Sequence, residues 1–411
     1  MYHLLRSKNH GLKENLVEFT RALIQTPSVS LEEKEAAALV EKKMRELGYD
    51  QVLRDDAGNV VGILFGREGA PALLLNSHLD TVAPETSAWS KAPYAAHREG
   101  DWIFGVGAAD CKGGLAAQIF AGALLRRAQL PLQGNLIVAA TVAEENGRSL
   151  GVRALLQETL PRLGMRPDFA ILGEPTRLNL YYGHDGWMEM DVLIEGEDAF
   201  QVDDTARAIY CDLESGARHD AESEEEEGAE ALLVGTPVFE RGALSRRARV
   251  AVLRRLRATE TAADVTRRVK RSLEVIAPAP GAVALDVRVR EESHRLYNGR
   301  TMVAKTITPA WSTDPFHPFL DRARQAFLAA GLDTHPGKWR LERPGMGTAG
   351  GTFVNEFGVP AIGYGPGAEA HAHAPEERVS IGRLSDAVFG TAVLAHAIAG
   401  VPIFGWTSDE I

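Results

Sequence analysis

"LLLNSHLDTVAP", residues 73–84, sets three leucines ahead of a histidine, an aspartate two positions later and a proline-closed turn. The leucines read as a strand buried in a sheet, and His78 and Asp80 stand where that strand runs out. Two readings compete. One is a polar loop; the other is a metal ligand whose second ring nitrogen is held by a neighbouring carboxylate. What decides between them is whether other strands end the same way.

Several do. "LIVAATVA" (136–143) delivers Glu144 and Glu145, and "FAILG" (169–173) delivers Glu174 ahead of Pro175. "AIGYGPG" (361–367) leads into "AEAHAHAPEE" with His371 and His373, while "FGVGAADCKGG" (104–114) places Asp110 before a glycine pair and a long helix. Ligands of open α/β sheets bind beyond the carboxyl ends of the strands. Imidazole and carboxylate are residue types that bind zinc, with no thiolate required. Taken singly, each residue has a blander role. A Glu-Glu pair is usually solvated, Asp110 is a fair helix N-cap, and Glu174 suits a turn. The coincidence of strand ends outweighs those readings. His97, His184, His219 and His294 share no such pattern and read as solvated, and Cys111 reads as a small packing residue.

Around these strand ends the chain alternates strand and helix. "TPSVSLEEKEAAALVEKKMRELGYD" has Ser30 and Glu33 at capping-box spacing before a helical pattern that Gly48 stops. "NVVGILFG", "PALLLNS", "GNLIVAATVA" and "DFAILG" read as strands, and "GGLAAQIFAGALLRRAQL" and "RSLGVRALLQETL" as helices. The order implies an α/β domain with a mostly parallel sheet flanked by helices. After Gly186 the pattern changes. "WMEMDVLIEG" and "VALDVRVREE" alternate apolar and polar positions, as strands with one wet face do, and helical stretches at 205–213 and 262–273 can cover the other. We expect a smaller α+β insertion over 184–295, inside a discontinuous domain of residues 1–183 and 296–411. The acidic run "ESEEEEGAE" reads as a solvated segment of that insertion.

Composition narrows the function classes. A chain of 411 residues exceeds what one core usually spans. A net charge of −11 argues against nucleic acid as the partner, and no apolar run is long enough to span a bilayer. Two cysteines make no secreted disulfide framework, and the first residues lack the apolar core of a signal peptide. A cytoplasmic setting is therefore expected.

The motifs "SHLDTV", "GVGAADCKGGLAA", "EENG", "GEPT", "YYGHDGW" and "GPGAEAHAHAPEE", in this order and spacing, resemble the dinuclear zinc peptidase and deacylase family that includes acetylornithine deacetylase, succinyl-diaminopimelate desuccinylase and the glutamate carboxypeptidases. "LRRLRATET" and "YNGR" resemble a branch of hydrolases associated with selenium metabolism. The resemblance implies a catalytic domain with an inserted lid and dimerisation domain, and a homodimer formed through the latter. It implies two divalent ions, zinc foremost with cobalt or manganese as alternatives. His78 and Glu174 would bind one ion, Glu145 and His373 the other, and Asp110 would bridge both. Asp80 would orient His78 through its free nitrogen, and Glu144 would be the general base. The substrate would be a small N-acyl amino acid or short peptide, cleaved at an amide bond by activated water. Arg255 would meet a substrate carboxylate, and Gly347 and Thr348 would lie on a substrate-facing loop.

The sequence also departs from that family. Phe200 stands where its inserted domain carries a histidine that reaches the partner subunit's site, and a phenyl ring donates no hydrogen bond. Losing one oxyanion donor lowers turnover by roughly 10²–10³. Leu253 replaces an aspartate that precedes the arginine matching Arg255. The alternative reading is thus a metal-loaded family member with weak or no turnover and a binding or regulatory role. A phosphoesterase has less support, because no phosphate-cradling loop is present. The basic cluster Arg246, Arg247, Arg249 and Arg254 reads as a solvated strand face.

Overall fold

The computed structural model describes residues 1–145, 149–222, 232–241, 246–276, 283–340 and 346–401. The acidic run beyond Glu222 lies outside them, as does the side chain of His219. The larger sheet has eight strands in the order 51–54, 60–64, 134–141, 69–78, 169–172, 361–363, 180–181 and 336–337. The strand Gly69–His78 lies between Gly134–Thr141 and Phe169–Leu172, parallel to both, and Ala361–Gly363 continues the parallel set. Antiparallel strands occupy one edge. Four parallel strands therefore release their carboxyl ends along one rim of the sheet.

Alternation explains why the central strand is apolar throughout. Leu73 and Leu75 pack into the core beneath the helices Lys112–Arg127 and Ile381–Ala399. Leu74 faces the opposite core, with Val152, Leu155, Phe353 and Trp311. Each such leucine contributes about 1.5–3 kcal/mol by leaving water. Gly114 lets the long helix ride directly on the strand end that carries Glu174, since a Cβ there would lie 1.7 Å from the Gly173 carbonyl oxygen. The same contact fixes the helix start, just after Asp110, against the rim.

The second sheet is antiparallel, with strands 232–234, 246–256, 186–196 and 284–289 in that order. Met188, Met190, Val192 and Ile194 point into its core with Val250 and Val252, under the helices Ala199–Glu222 and Ala262–Leu273. The expected return at residue 296 falls inside a hairpin, Glu291–Arg295 paired with Thr301–Lys305, and Ile307–Thr308 still pairs with Met188 and Trp187. The chain crosses back only where Trp311–Ser312 pairs with Gly183–His184. Sequence missed this because the pairing is nonlocal.

That hairpin extends from the second sheet to the larger domain. The Tyr297 hydroxyl donates to the Gly58 carbonyl at 2.8 Å and Asn298 donates to the Asp56 carbonyl at 2.8 Å. Arg300 forms a two-pronged pair with Glu158, one contact being 3.0 Å.

Two local expectations need correction. The helix after Ser30 begins at Lys34 with no side-chain cap, so Ser30 and Glu33 form no capping box. Arg254 is buried and pairs with Glu260 at 3.1 Å, whereas Arg247 on the same strand is exposed and pairs with Glu195. Strand alternation sends the two side chains to opposite faces. Among the described residues no helix is long and apolar enough to cross a membrane.

Candidate metal centre

The rim gathers the strand-end residues into two overlapping groups. His78, Asp110, Cys111 and Glu174 form one; Asp110, Glu145 and His373 form the other, and in each the candidate ligand atoms lie within 4.8 Å of one another. Asp110 belongs to both. Its Oδ1 is 3.2 Å from His78 Nε2, and its Oδ2 is 3.5 Å from His373 Nε2. Glu174 Oε2 lies 3.7 Å from His78 Nε2, and Glu145 Oε2 lies 2.7 Å from His373 Nε2. His371 is outside both groups, its ring set edge-on to Trp102.

Asp80 holds His78 with a different atom from the one expected. His78 Nδ1 contacts the Asp80 backbone carbonyl at 2.8 Å, while the nearer carboxylate oxygen is 3.7 Å away. The carboxylate works elsewhere: its Oδ1 accepts the Glu144 N–H at 3.1 Å and its Oδ2 the Glu145 N–H at 2.9 Å. Ser30 Oγ donates to the same Oδ2 at 2.6 Å. Glu33 Oε1 accepts the next N–H upstream, that of Ala143, at 2.9 Å, together with that of Leu31. Three consecutive amides, 143 to 145, are thus clamped by two fully buried carboxylates. Ala143 takes a left-handed φ of 52°, and that turn swings Glu144 and Glu145 toward the rim.

A third buried carboxylate shapes the loop carrying Asp110. Glu377 accepts N–H donors from Gly107, Ala109 and Asp110 at 2.8–2.9 Å. Cys111 Sγ accepts the His78 N–H at 3.2 Å, so this thiol supports the ligand loop as well as packing against it. Burial pushes the thiol up to about 12. Lys112, wholly buried, donates to the carbonyls of Leu23 and Thr26 and closes the end of the helix Lys13–Gln25.

The electrostatics reflect crowded carboxylates. Burial, with Glu174, Glu145 and Asp80 adding to it, pushes Glu144 well above the ordinary range. Burial raises Glu174 to about 7 against the opposing pull of His78. Burial alone would lower His373, but Glu145 and Asp110 bring it up to about 9. Glu144 and Glu174 resist ionisation, Asp110 is held below the ordinary range by His78 and His373 against burial, and Glu145 Oε1 is buried with no hydrogen-bond partner among the described residues, a set that fits a site built for cations.

The expected substrate-side residues belong to neither group. Arg255 sits at the hinge end of the inserted sheet, over the Trp187 ring at 5.4 Å and 3.6 Å from Asp185. Thr348 is buried: its N–H donates to His184 Nε2 at 3.0 Å and its hydroxyl accepts from Trp311. Gly347 allows close approach, because a Cβ there would lie 1.8 Å from Thr308 Cγ2. His184, expected in solvent, is buried, and burial lowers it to about 4, so it is a neutral hinge residue. Phe200 is 78% exposed at the start of its helix.

Glu33 and Glu377 escaped the sequence reading as site residues. Glu33 carried the spacing of a helix cap, and Glu377 closed a motif read for His373; neither local signal names a partner about a hundred residues away or more.

Comparison with known proteins agrees with this architecture. Residues 74–400 match the family described as Peptidase family M20/M25/M40. The chain is 26% identical over 390 residues to the uncharacterized protein YgeY of Escherichia coli K12, covering 92% of this chain and 93% of that one. It is 25% identical over 421 residues to N-formyl-4-amino-5-aminomethyl-2-methylpyrimidine deformylase of Bacillus subtilis, with the same coverage. Its fold matches that of Bacillus subtilis YXEP, described as a dinuclear metal binding peptidase from the M20 family, with a TM-score of 0.67, 16% identity and coverage of 94% and 98%. The chain belongs to peptidase family M20/M25/M40, a family of hydrolases that includes peptidases and deacylases.

Proposed function

We propose that this protein hydrolyses the amide bond of a small N-acyl amino acid or short peptide with two divalent metal ions, zinc by ligand type. The observation that carries the reading is Asp110, one carboxylate shared by two histidine-carboxylate groups. His78 and Glu174 would hold one ion, Glu145 and His373 the other. The ions would supply an acidified water and polarisation of the scissile carbonyl. Glu144 receives the water's proton and passes it to the departing amine nitrogen, for which its raised proton affinity suits it. The Asp80 carboxylate fixes the backbone that presents Glu144, and the Asp80 carbonyl fixes the His78 ring. The deformylase activity of the Bacillus subtilis relative and the dinuclear metal binding of the peptidase of similar fold support amide chemistry and a two-ion centre.

The test separates two adjacent glutamates. In zinc-loaded protein Glu144→Gln should retain metal and lose turnover on an N-acetyl amino acid, whereas Glu145→Ala should lose metal. Equal metal loss in both variants would overturn the assignment of base and ligand.

A further inference from the structure

Beside the metal centre lies a cavity of about 590 Å³ whose wall includes Thr176, two residues past Glu174, and Ala372, one residue before His373. Arg177 and Arg340 both line it. The Arg177 backbone is fixed: it adopts a left-handed φ of 55°, its N–H donates to the Gly367 carbonyl, and the N–H of Leu178 donates to that of Gly365. Arg340 is anchored by its own N–H, which donates to Glu369 Oε1 at 2.9 Å. Neither guanidinium has a hydrogen bond or a carboxylate partner among the described residues.

More positive charge adjoins them. Arg378 and Arg383 both stand over the Trp102 ring, at 5.3 and 5.6 Å. Burial and the neighbouring Arg177 charge both lower Arg383, so the cations are close enough to repel. Asp101, which accepts Ser380 Oγ at 2.5 Å and the Gly382 N–H at 3.1 Å, offsets part of the Arg383 charge, and Glu369 accepts the Arg340 backbone N–H; neither forms an ion pair with Arg177 or Arg340. In a chain of net charge −11, two guanidiniums that line one cavity with no ion pair among the described residues need a reason. An anion supplies it, since a guanidinium presents paired donors that match carboxylate or phosphate oxygens.

We propose that this cavity is an anion subsite in which Arg177 and Arg340 bind a carboxylate or phosphate group carried by the substrate away from the scissile amide. The size suits a small ligand. The subsite rests on the amide-hydrolase reading for the word substrate, but its binding chemistry does not.

The probes are therefore simple anions titrated calorimetrically into zinc-loaded protein. Glutarate and pentanoate have the same chain length and share one carboxylate able to reach the metals; only glutarate has a second. Glutarate should bind about tenfold or more tighter, as charge-assisted hydrogen bonds to two guanidiniums imply. Arg177→Gln and Arg340→Gln should each reduce that preference and together erase it, with zinc content unchanged. Inorganic phosphate competing with glutarate only in the unsubstituted protein would show that phosphate shares the arginine subsite; failure to compete would assign the subsite to carboxylates. Equal affinities for glutarate and pentanoate, or a preference surviving the double variant, would overturn the subsite. A preference that holds in a protein without amidase turnover would keep the subsite and remove the hydrolase reading instead.

Discussion

Removing the carboxylate of Glu33 tests whether the clamp behind Glu144 positions it. Glu33→Ala strips the acceptor from two N–H groups, those of Leu31 and Ala143, at a side chain with no solvent exposure. Leaving a buried donor unpaired costs about 1–3 kcal/mol, so the pair predicts a loss of ~2–6 kcal/mol in a urea titration. Glu33→Gln keeps a carbonyl oxygen in the same place. Because burial and the nearby Asp80 charge raise Glu33 to about 7, a neutral side chain is already a native form near neutral pH. The glutamine variant should therefore remain close to the unsubstituted protein in stability and turnover. Kinetics carry the sharper signal. A displacement of the base by 1 Å lowers turnover by roughly 10²-fold, and the alanine variant releases the amide next to Glu144. Steady-state rates of the zinc-loaded variants on an N-acetyl amino acid should show kcat falling in Glu33→Ala with KM little changed. Full kcat in Glu33→Ala, or a loss in Glu33→Gln as deep as in alanine, would refute the positioning argument.

Zinc analysis of the loaded protein should give close to two equivalents, and Asp110→Ala should lower that number; unchanged content would remove the bridging role. Metal uptake should weaken as pH falls, because bound ions displace protons from His373, raised to about 9, and from Glu174, raised to about 7. Below the first value at least one proton must leave and below the second at least two, with His78 and Glu145, also raised, adding to them, so affinity should fall at least about tenfold per pH unit between 9 and 7 and more steeply below 7. A flat profile in a competition assay would contradict these proton affinities. We expect Phe200→His, at an exposed position at the start of its helix, to give less than an order-of-magnitude gain in turnover; a larger gain would mean that position 200 still approaches a partner's centre.

Much of the rim was legible because strand ends are local events. An apolar run followed by His78 or Glu174 states both the element and its exit. The helices Lys112–Arg127 and Ile381–Ala399 likewise declare themselves by composition. What escaped depends on partners far along the chain. Glu33 and Ser30 mimic a helix cap, yet they serve residues 143 and 80. His184 looks like a loop residue until Thr348 and Trp311 close over it. Alternation predicted the faces of the inserted strands, but not that residues 307–308 rejoin the first of them.

The hairpin between residues 291 and 305 turns the inserted sheet into a lever with its foot on the catalytic domain. Its tip presses on the turn 55–59, where a Cβ on Gly58 would meet the Tyr297 ring at 2.5 Å. From that turn Asn59 donates to the Gly151 carbonyl at 2.9 Å, and its Oδ1 accepts the N–H of Val142 at 3.0 Å, one residue before the left-handed turn that presents Glu144. A rigid rotation of the inserted sheet must therefore either lift the tip off Gly58 or load the segment that aims the base. A movement of the inserted sheet and the placement of Glu144 would thus be geared together, through contacts that the two covalent crossings at the hinge do not supply.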